Sequence, residues 1–328
     1  MLITRTPLRI SIGGGGTDLP SYYRRFGSMV ISAAINKYIY ISLNRTFVDD
    51  YFIKYSQLER TADVDAIEHP IIREALRMTG TGRGVEIVST ADIPSGTGLG
   101  SSGTFTVGLL RALHAHRRQH ITAGALAEAA CRIEIDVLEQ PVGKQDQYIA
   151  SFGGLTCFEF HPDDTVTVSP LAASTQTVHD LESHLLLFFT GYSRSASEIL
   201  VEQKRRSDAD DSAMLESLQY TDKLGRRIRT ALETGVTGDF ADLMHEHWEY
   251  KRARSAGMSN PQIDEWYDLG RRSGARGGKL VGAGAGGFLL FYATDPAQLR
   301  QAMGRAGLAE VRFHFDHDGS VVLVRDHG

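Results

Sequence analysis

The chain of 328 residues contains no stretch of about 18 or more uncharged apolar residues, which excludes a membrane-spanning helix. Cysteine is scarce. Cys131 and Cys157 are the only two, form no metal-ligand spacing and offer at most one disulfide. There is no excess of positive charge: the formal net charge is −5, which argues against a surface that coats nucleic acid. The opening Met1-Leu2-Ile3-Thr4-Arg5 lacks the basic-then-apolar order of a secretion signal, so a reduced, cytoplasmic setting is the simple expectation. Neither a long-period repeat nor a low-complexity tract occurs. What is present is 42% apolar residue with charges of both signs mixed through the length. That composition buries a substantial core in one large or two medium domains.

Strand and helix signals alternate through the first half. Residues 3–12, 28–35, 38–43 and 84–90 read as strands, with Ile39, Ile41 and Leu43 on one side of the third. Helices are expected after the turn-rich segment Asp92 to Gly103, and from an N-cap at Thr122 with the stripe Leu126, Ala129, Ala130, Ile133 and Val137. The second half opens with a buried strand at 184–190. Helices follow at 196–208, 210–232, 239–254 and 261–273. Then come a glycine turn, strand 288–292, helix 296–306, and strands 311–315 and 321–324. Strands and helices in this order fit an α+β architecture. A boundary falls near 170–182, dividing the chain into residues 1–178 and 179–328.

Three glycine segments carry the chemistry. In Pro94-Ser95-Gly96-Thr97-Gly98-Leu99-Gly100-Ser101-Ser102-Gly103, glycines ahead of a helix let backbone N–H groups approach an anion, and the helix dipole favours negative charge there. Taken alone, the segment reads equally as an ordinary glycine-rich turn. No Gly-Lys-Ser/Thr follows, so it is not a Walker loop, and its spacing differs from a dinucleotide turn. The others are Pro7-Leu8-Arg9-Ile10-Ser11-Ile12-Gly13-Gly14-Gly15-Gly16-Thr17-Asp18 near the start and Lys279-Leu280-Val281-Gly282-Ala283-Gly284-Ala285-Gly286-Gly287 near the end.

The three motifs, in this order, resemble those of the superfamily of galactokinase, homoserine kinase, mevalonate kinase and phosphomevalonate kinase. Longer strings narrow the likeness: Arg5 to Pro20, His247-Trp248-Glu249, Met258 to Asp264 and Gly277-Gly278-Lys279-Leu280 are similar to bacterial D-glycero-D-manno-heptose 7-phosphate kinases. The resemblance implies a ribosomal-protein-S5-like N-terminal domain and a ferredoxin-like C-terminal domain. It implies ATP and Mg2+ as cofactors and phosphorylation of the anomeric hydroxyl of a phosphosugar, with the product feeding nucleotide-heptose and surface polysaccharide synthesis. The expected partner is that small molecule, not nucleic acid or membrane; oligomeric state carries no signal.

Roles follow residue by residue from the same resemblance. ATP binding falls to Pro94, Gly96, Gly98, Leu99, Gly100, Ser101, Ser102, Gly103 and Thr104. Ser102 and Glu134 match the magnesium-side pair, hard oxygen ligands of the kind that ion prefers. Asp146 matches the proposed general base and Arg9 the cation beside it. Gly15, Gly16, Thr17, Asp18, Asp146, Gly282 and Gly284 are expected to contact substrate. The cation for the substrate's own phosphate is not given by the resemblance; Arg194, just past a strand end in a Ser-rich turn, is the first candidate and Lys251 the second, with Arg254 nearby. Asp136 and Glu139 read as solvated, and His245 and His247, two residues apart on a helix, do not share a face for zinc. Two departures stand out: one extra residue in Gly143-Lys144-Gln145-Asp146, and Gly103 where the family has alanine, which costs up to about 1 kcal/mol in helix propensity. A sugar sensor on the same fold is the non-enzyme alternative, and such proteins lose a catalytic member. Here Arg9, Ser102, Glu134 and Asp146 are all present. A kinase for fucose or a similar hexose is the nearest rival, and the opening motif disfavours a decarboxylase of the mevalonate-diphosphate type.

Overall fold

The computed structural model describes residues 1–191, 197–209, 211–254, 257–282, 284 and 286–325. The first half forms β1 (Leu2–Gly13), α1 (Pro20–Phe26), β2 (Ser28–Arg45), β3 (Tyr51–Lys54), β4 (Leu58–Thr61), α2 (Pro70–Thr79), β5 (Val85–Ala91), α3 (Ser101–His116), α4 (Ala123–Cys131), α5 (Gln145–Phe152), β6 (Leu155–Phe160), β7 (Val166–Pro170) and α6 (Thr175–His184). The second half forms β8 (Leu185–Phe189), α7 (Ser197–Asp208), α8 (Ser212–Glu233), α9 (Thr237–Arg254), α10 (Pro261–Arg272), β9 (Ala275–Val281), β10 (Phe288–Ala293), α11 (Pro296–Arg305), β11 (Ala309–Glu310) and β12 (Val321–Arg325).

Two sheets organise these elements. The larger runs β12-β1-β2-β5-β3-β4, with β6 also on β2 and β7 on β6. The smaller is β11-β8-β10-β9, antiparallel throughout. The mixed α and β two-domain class expected from the sequence is therefore present. Among the described residues no helix is long and apolar enough to cross a membrane.

The expected strands at 28–35 and 38–43 are one strand of 18 residues. The polar pair Asn36-Lys37 lies between the two expected ranges. It persists inside β2 because Asn36 N–H donates to the His314 carbonyl (2.9 Å) and its Oδ1 accepts from His314 N–H (2.8 Å). The first part of β2 pairs with β6 and the last part with β5, so this strand spans the sheet's whole working length. The expected strand at 311–315 is corrected. Only Ala309–Glu310 joins β8; then Val311 N–H reaches Leu187 and Phe315 bridges to Ile35, so the segment divides its bonds between the two sheets. The final strand, β12, pairs with β1 in the larger sheet.

Helix α9 lies on β9 closely enough that glycine is required: a Cβ at Gly277 would stand 1.8 Å from the Ala241 carbonyl oxygen. Gly277→Ala is therefore expected to cost about 1–3 kcal/mol, read as a lower denaturant midpoint with unchanged slope. A wild-type midpoint would show that α9 is not seated this tightly.

Candidate active site

Alternation along β1 sends Leu8, Ile10 and Ile12 into the core, while Arg9 and Ser11 line a cavity of about 830 Å³. Arg9 makes a two-pronged pair with Asp146, Nε to Oδ1 at 2.7 Å and Nη2 to Oδ2 at 3.0 Å. Its Nη1 donates to the Gly98 carbonyl at 2.5 Å, and its backbone N–H to that of Leu99 at 3.0 Å. One side chain thus ties β1 to the glycine loop and to the first turn of α5.

The loop and the C-terminal glycine motif interlock. A Cβ at Gly98 would lie 2.6 Å from the Val281 carbonyl oxygen, and one at Gly282 would lie 2.5 Å from Gly98 Cα. Both glycines also have positive φ. At the helix start, the buried Ser101 hydroxyl has no hydrogen-bond partner among the described residues, and Ser102 donates to Glu134 Oε2 at 2.7 Å. Residues Arg132–Val137 form a π-helical turn, which moves the expected stripe out of register. Val137 is turned outward, while Glu134 is fully buried. Burial raises the Glu134 carboxyl above its ordinary range against the opposing pull of the Ser102, Thr106 and Gln147 side chains, and its Oε1 meets no hydrogen-bond geometry among the described residues.

Asp18 is buried between loops: Oδ1 accepts from Gly16 N–H (3.1 Å) and Oδ2 from Gln145 N–H (3.0 Å). Burial pushes its carboxyl up, the Gln145 amide pulls it back, and Asp146 adds to the rise. The extra residue before Asp146 is absorbed here. Lys144 turns away to Glu128, at 3.0 and 3.2 Å, leaving the Gln145 amide for Asp18.

The structure brings Arg9, Gly15, Gly16, Asp18, Pro94, Gly96, Gly98, Gly100, Ser101, Ser102, Asp146 and Gly282 to one cavity wall. Thr17, Leu99, Gly103, Thr104, Glu134 and Gly284 stand behind or beside it. Thr17 closes its turn on the Gly14 carbonyl, Thr104 bonds to Pro7, and Leu99 is in the core. Arg194 lies outside the described residues. Lys251 and Arg254 line the cavity, together with Lys279 and His247, which were not expected there. Their signal was present: His247, Lys251 and Arg254 recur at i, i+4 and i+7 on one helix face. His245, by contrast, pairs with the Tyr267 hydroxyl at 2.7 Å, and Asp136 and Glu139 are exposed. At another end Ile39, Tyr55, His69, Ile71, Ile93 and Phe105 form a largely apolar lining.

A glycine loop at a helix start and an arginine–aspartate pair on one cavity, with a serine–carboxylate pair reaching behind it, are parts of the kind that phosphoryl transfer uses. Family models agree: that of the GHMP kinases N terminal domain matches residues 66–154, and that of the GHMP kinases C terminal matches 228–309. The chain belongs to the GHMP kinases and is an ATP-dependent sugar kinase. It is 30% identical over 307 residues, 90% of each chain, to D-glycero-alpha-D-manno-heptose 7-phosphate kinase of Campylobacter jejuni. It is 26% identical over 326 residues to the bifunctional fucokinase/GDP-fucose pyrophosphorylase of Arabidopsis thaliana, spanning 91% of this chain and 30% of that one. A crystal structure described as a D-glycero-D-manno-heptose 1-phosphate kinase from Bacteroides thetaiotaomicron superposes with a TM-score of 0.81 at 25% identity, over 99% of this chain and all of that one.

Gly103 has a reason in the packing of α3 on α5. A Cβ there would come within 2.8 Å of Asp146 Cβ and 3.1 Å of the Gln147 amide nitrogen. Gly103→Ala is expected to displace Asp146 and lower kcat by about 10- to 100-fold, with KM for ATP within about twofold. Full kcat in this variant would mean that Asp146 can be moved without consequence.

Proposed function

We propose that the chain transfers the γ-phosphoryl group of ATP to the anomeric hydroxyl of D-glycero-D-manno-heptose 7-phosphate, giving the 1,7-bisphosphate as a precursor of nucleotide-activated heptose. The observation that carries this reading is the Arg9–Asp146 pair, held against the phosphate loop in the same cavity as Asp18. The 90% coverage of the Campylobacter relative supports the choice of sugar.

In this reading the sugar oxygen attacks the γ-phosphorus, the bond to the β-phosphate oxygen breaks, and ADP leaves. Asp146 orients the hydroxyl and accepts its proton. Arg9 orients that carboxylate through its two-pronged pair and faces the charge that develops on the transferring group. The N–H groups at the start of α3 and the Ser101 hydroxyl bind phosphate oxygens. Ser102 and Glu134 fit a magnesium ion: the donors are hard oxygens, and Glu134 Oε1 is buried without hydrogen-bond geometry to any described residue. When bound, magnesium supplies charge neutralisation at the nucleotide phosphates. Asp18, fixed by two amides, meets a sugar hydroxyl.

Coupled ADP-release assays across free and phosphorylated heptoses and hexoses test the reading. Turnover is expected with the heptose 7-phosphate and is lost on chelating magnesium. A preference for fucose would favour the hexose reading that the Arabidopsis relative supports. Sugar binding without any turnover would favour a sensor. Asp146→Asn is expected to lower kcat by about 10²- to 10⁴-fold with KM for ATP nearly unchanged, and an unaffected kcat would remove Asp146 from the reaction.

A further inference from the structure

One face of α9 and the adjoining β9 hold a buried group of bases. His247, Lys251, Arg254 and Lys279 are 2%, 9%, 7% and 3% exposed, and all line the cavity. Their partners are neutral. Lys251 Nζ donates to the carbonyls of Leu280, at 3.3 Å, and Gly282. Lys279 Nζ donates to Ile12 at 2.9 Å. Arg254 donates from Nε to Ser217 Oγ at 3.0 Å and from Nη2 to Thr221 Oγ1 at 2.5 Å. Among the described residues no carboxylate lies within ion-pair distance of these three cations. The acids that share the cavity are engaged elsewhere: Asp18 by amides, Asp146 by Arg9, and Asp92 by the Tyr38 N–H. Among the described residues both ring nitrogens of His247 are buried without a partner, and Arg254 is bonded through Nε and Nη2 but not through Nη1. Buried charges are ordinarily paired, so a cluster with only neutral partners is built for an anion that arrives.

We infer that Arg254, Lys251, Lys279 and His247 form a preformed pocket for a phosphate dianion already carried by the acceptor, with Arg254 Nη1 and Lys251 Nζ as its principal donors. This rests on the sugar-kinase reading and fixes which residues select a phosphorylated acceptor. The acceptor side is indicated by Gly16, two residues before Asp18. A Cβ at Gly16 would stand 3.4 Å from Arg254 Nη1 and 3.5 Å from Gln203 Nε2, in the space before the guanidinium. The apolar lining suited to a nucleotide base is built from other elements, with Ile39 on β2, Ile71 on α2 and Phe105 on α3.

The pocket's charge depends on its contents. Burial, reinforced by Arg254 and Arg9, lowers Lys251 to about 7. Burial lowers Arg254 to about 10, and takes Lys279 and His247 well below their usual values. The bases facing Lys251 are His247 and Arg254 on its own helix, Lys279 on β9 and Arg9 on β1; the cavity's acids are the engaged Asp18, Asp146 and Asp92. In the empty pocket Lys251 loses its proton as pH rises through about 7. A phosphate ester is dianionic above about pH 6 and pulls that proton back. Binding of the phosphosugar therefore takes up a proton at mildly alkaline pH. The kcat/KM for it falls above about pH 7, because that ratio reports the free enzyme.

Calorimetry on the full chain without ATP, in two buffers of different ionisation enthalpy, compares heptose 7-phosphate with free heptose. Steady-state assays run alongside. Proton uptake with the phosphate ester only is expected. Arg254→Met and Lys251→Met should each weaken phosphosugar binding by about 10- to 150-fold, with KM for ATP within about twofold. Arg254→Lys should recover part of the loss, guarding against a misfolded variant, and Lys251→Met should remove the alkaline fall in kcat/KM. Equal affinity for free and phosphorylated heptose would overturn the inference, as would unchanged phosphosugar binding in these variants. A KM for ATP raised as much as that for the sugar would assign the cluster to the nucleotide and overturn it too. If no sugar is turned over, the kinase reading fails; the binding comparison still decides the pocket.

Discussion

Arg9 and Asp146 hold the site together. A bidentate, charge-assisted pair is about twice as strong per bond as a neutral one and fixes orientation as well as distance. Here it spans 137 positions of sequence, joining the first strand to the helix that carries the carboxylate. The third nitrogen of the same guanidinium, together with the Arg9 backbone amide, pins the glycine loop at Gly98 and Leu99. The loop is then locked from its other side by Gly282, where neither chain could tolerate a Cβ. Glycine loop, carboxylate and the Val281–Gly282 turn are consequently tied to one another.

Around that unit the charges are sorted. Glu134 and the Ser102 hydroxyl form a hard-oxygen corner, buried and held by a π-helical turn. The bases of α9 and β9 form a cationic corner with no acid of its own among the described residues. Low-dielectric walls strengthen both fields and make each selective for the opposite charge. On the proposed reading, a kinase acting on a phosphorylated acceptor must bring two phosphate groups into one cleft against their mutual repulsion, and this separation of corners would provide for it.

Much of this was legible in the sequence because local chemistry sets it. The glycine runs demanded close backbone approach, the serines stood at a helix start, and Thr122 capped its helix as its residue type predicts. Resemblance supplied Glu134 and Asp146, while the π turn that buries Glu134 left no mark in a pattern read at 3.6 residues per turn. The join of residues 28–45 into one strand depends on His314, distant in sequence, bonding to Asn36 between the two expected ranges. Of the basic cluster, Lys251 and Arg254 were candidates from the sequence, whereas His247 and Lys279 were missed for a different reason. His, Lys and Arg at helical spacing read as a solvated face until the tertiary structure shows them buried.

The central claim is anomeric phosphorylation of a sugar that already bears a phosphate. Phosphorus–proton correlated NMR of the product made from ATP and heptose 7-phosphate tests it directly. The account predicts a second phosphate resonance coupled to the anomeric proton, with the original ester signal retained. Coupling of the new phosphate to any other proton, or release of inorganic phosphate with the sugar unchanged, would contradict it.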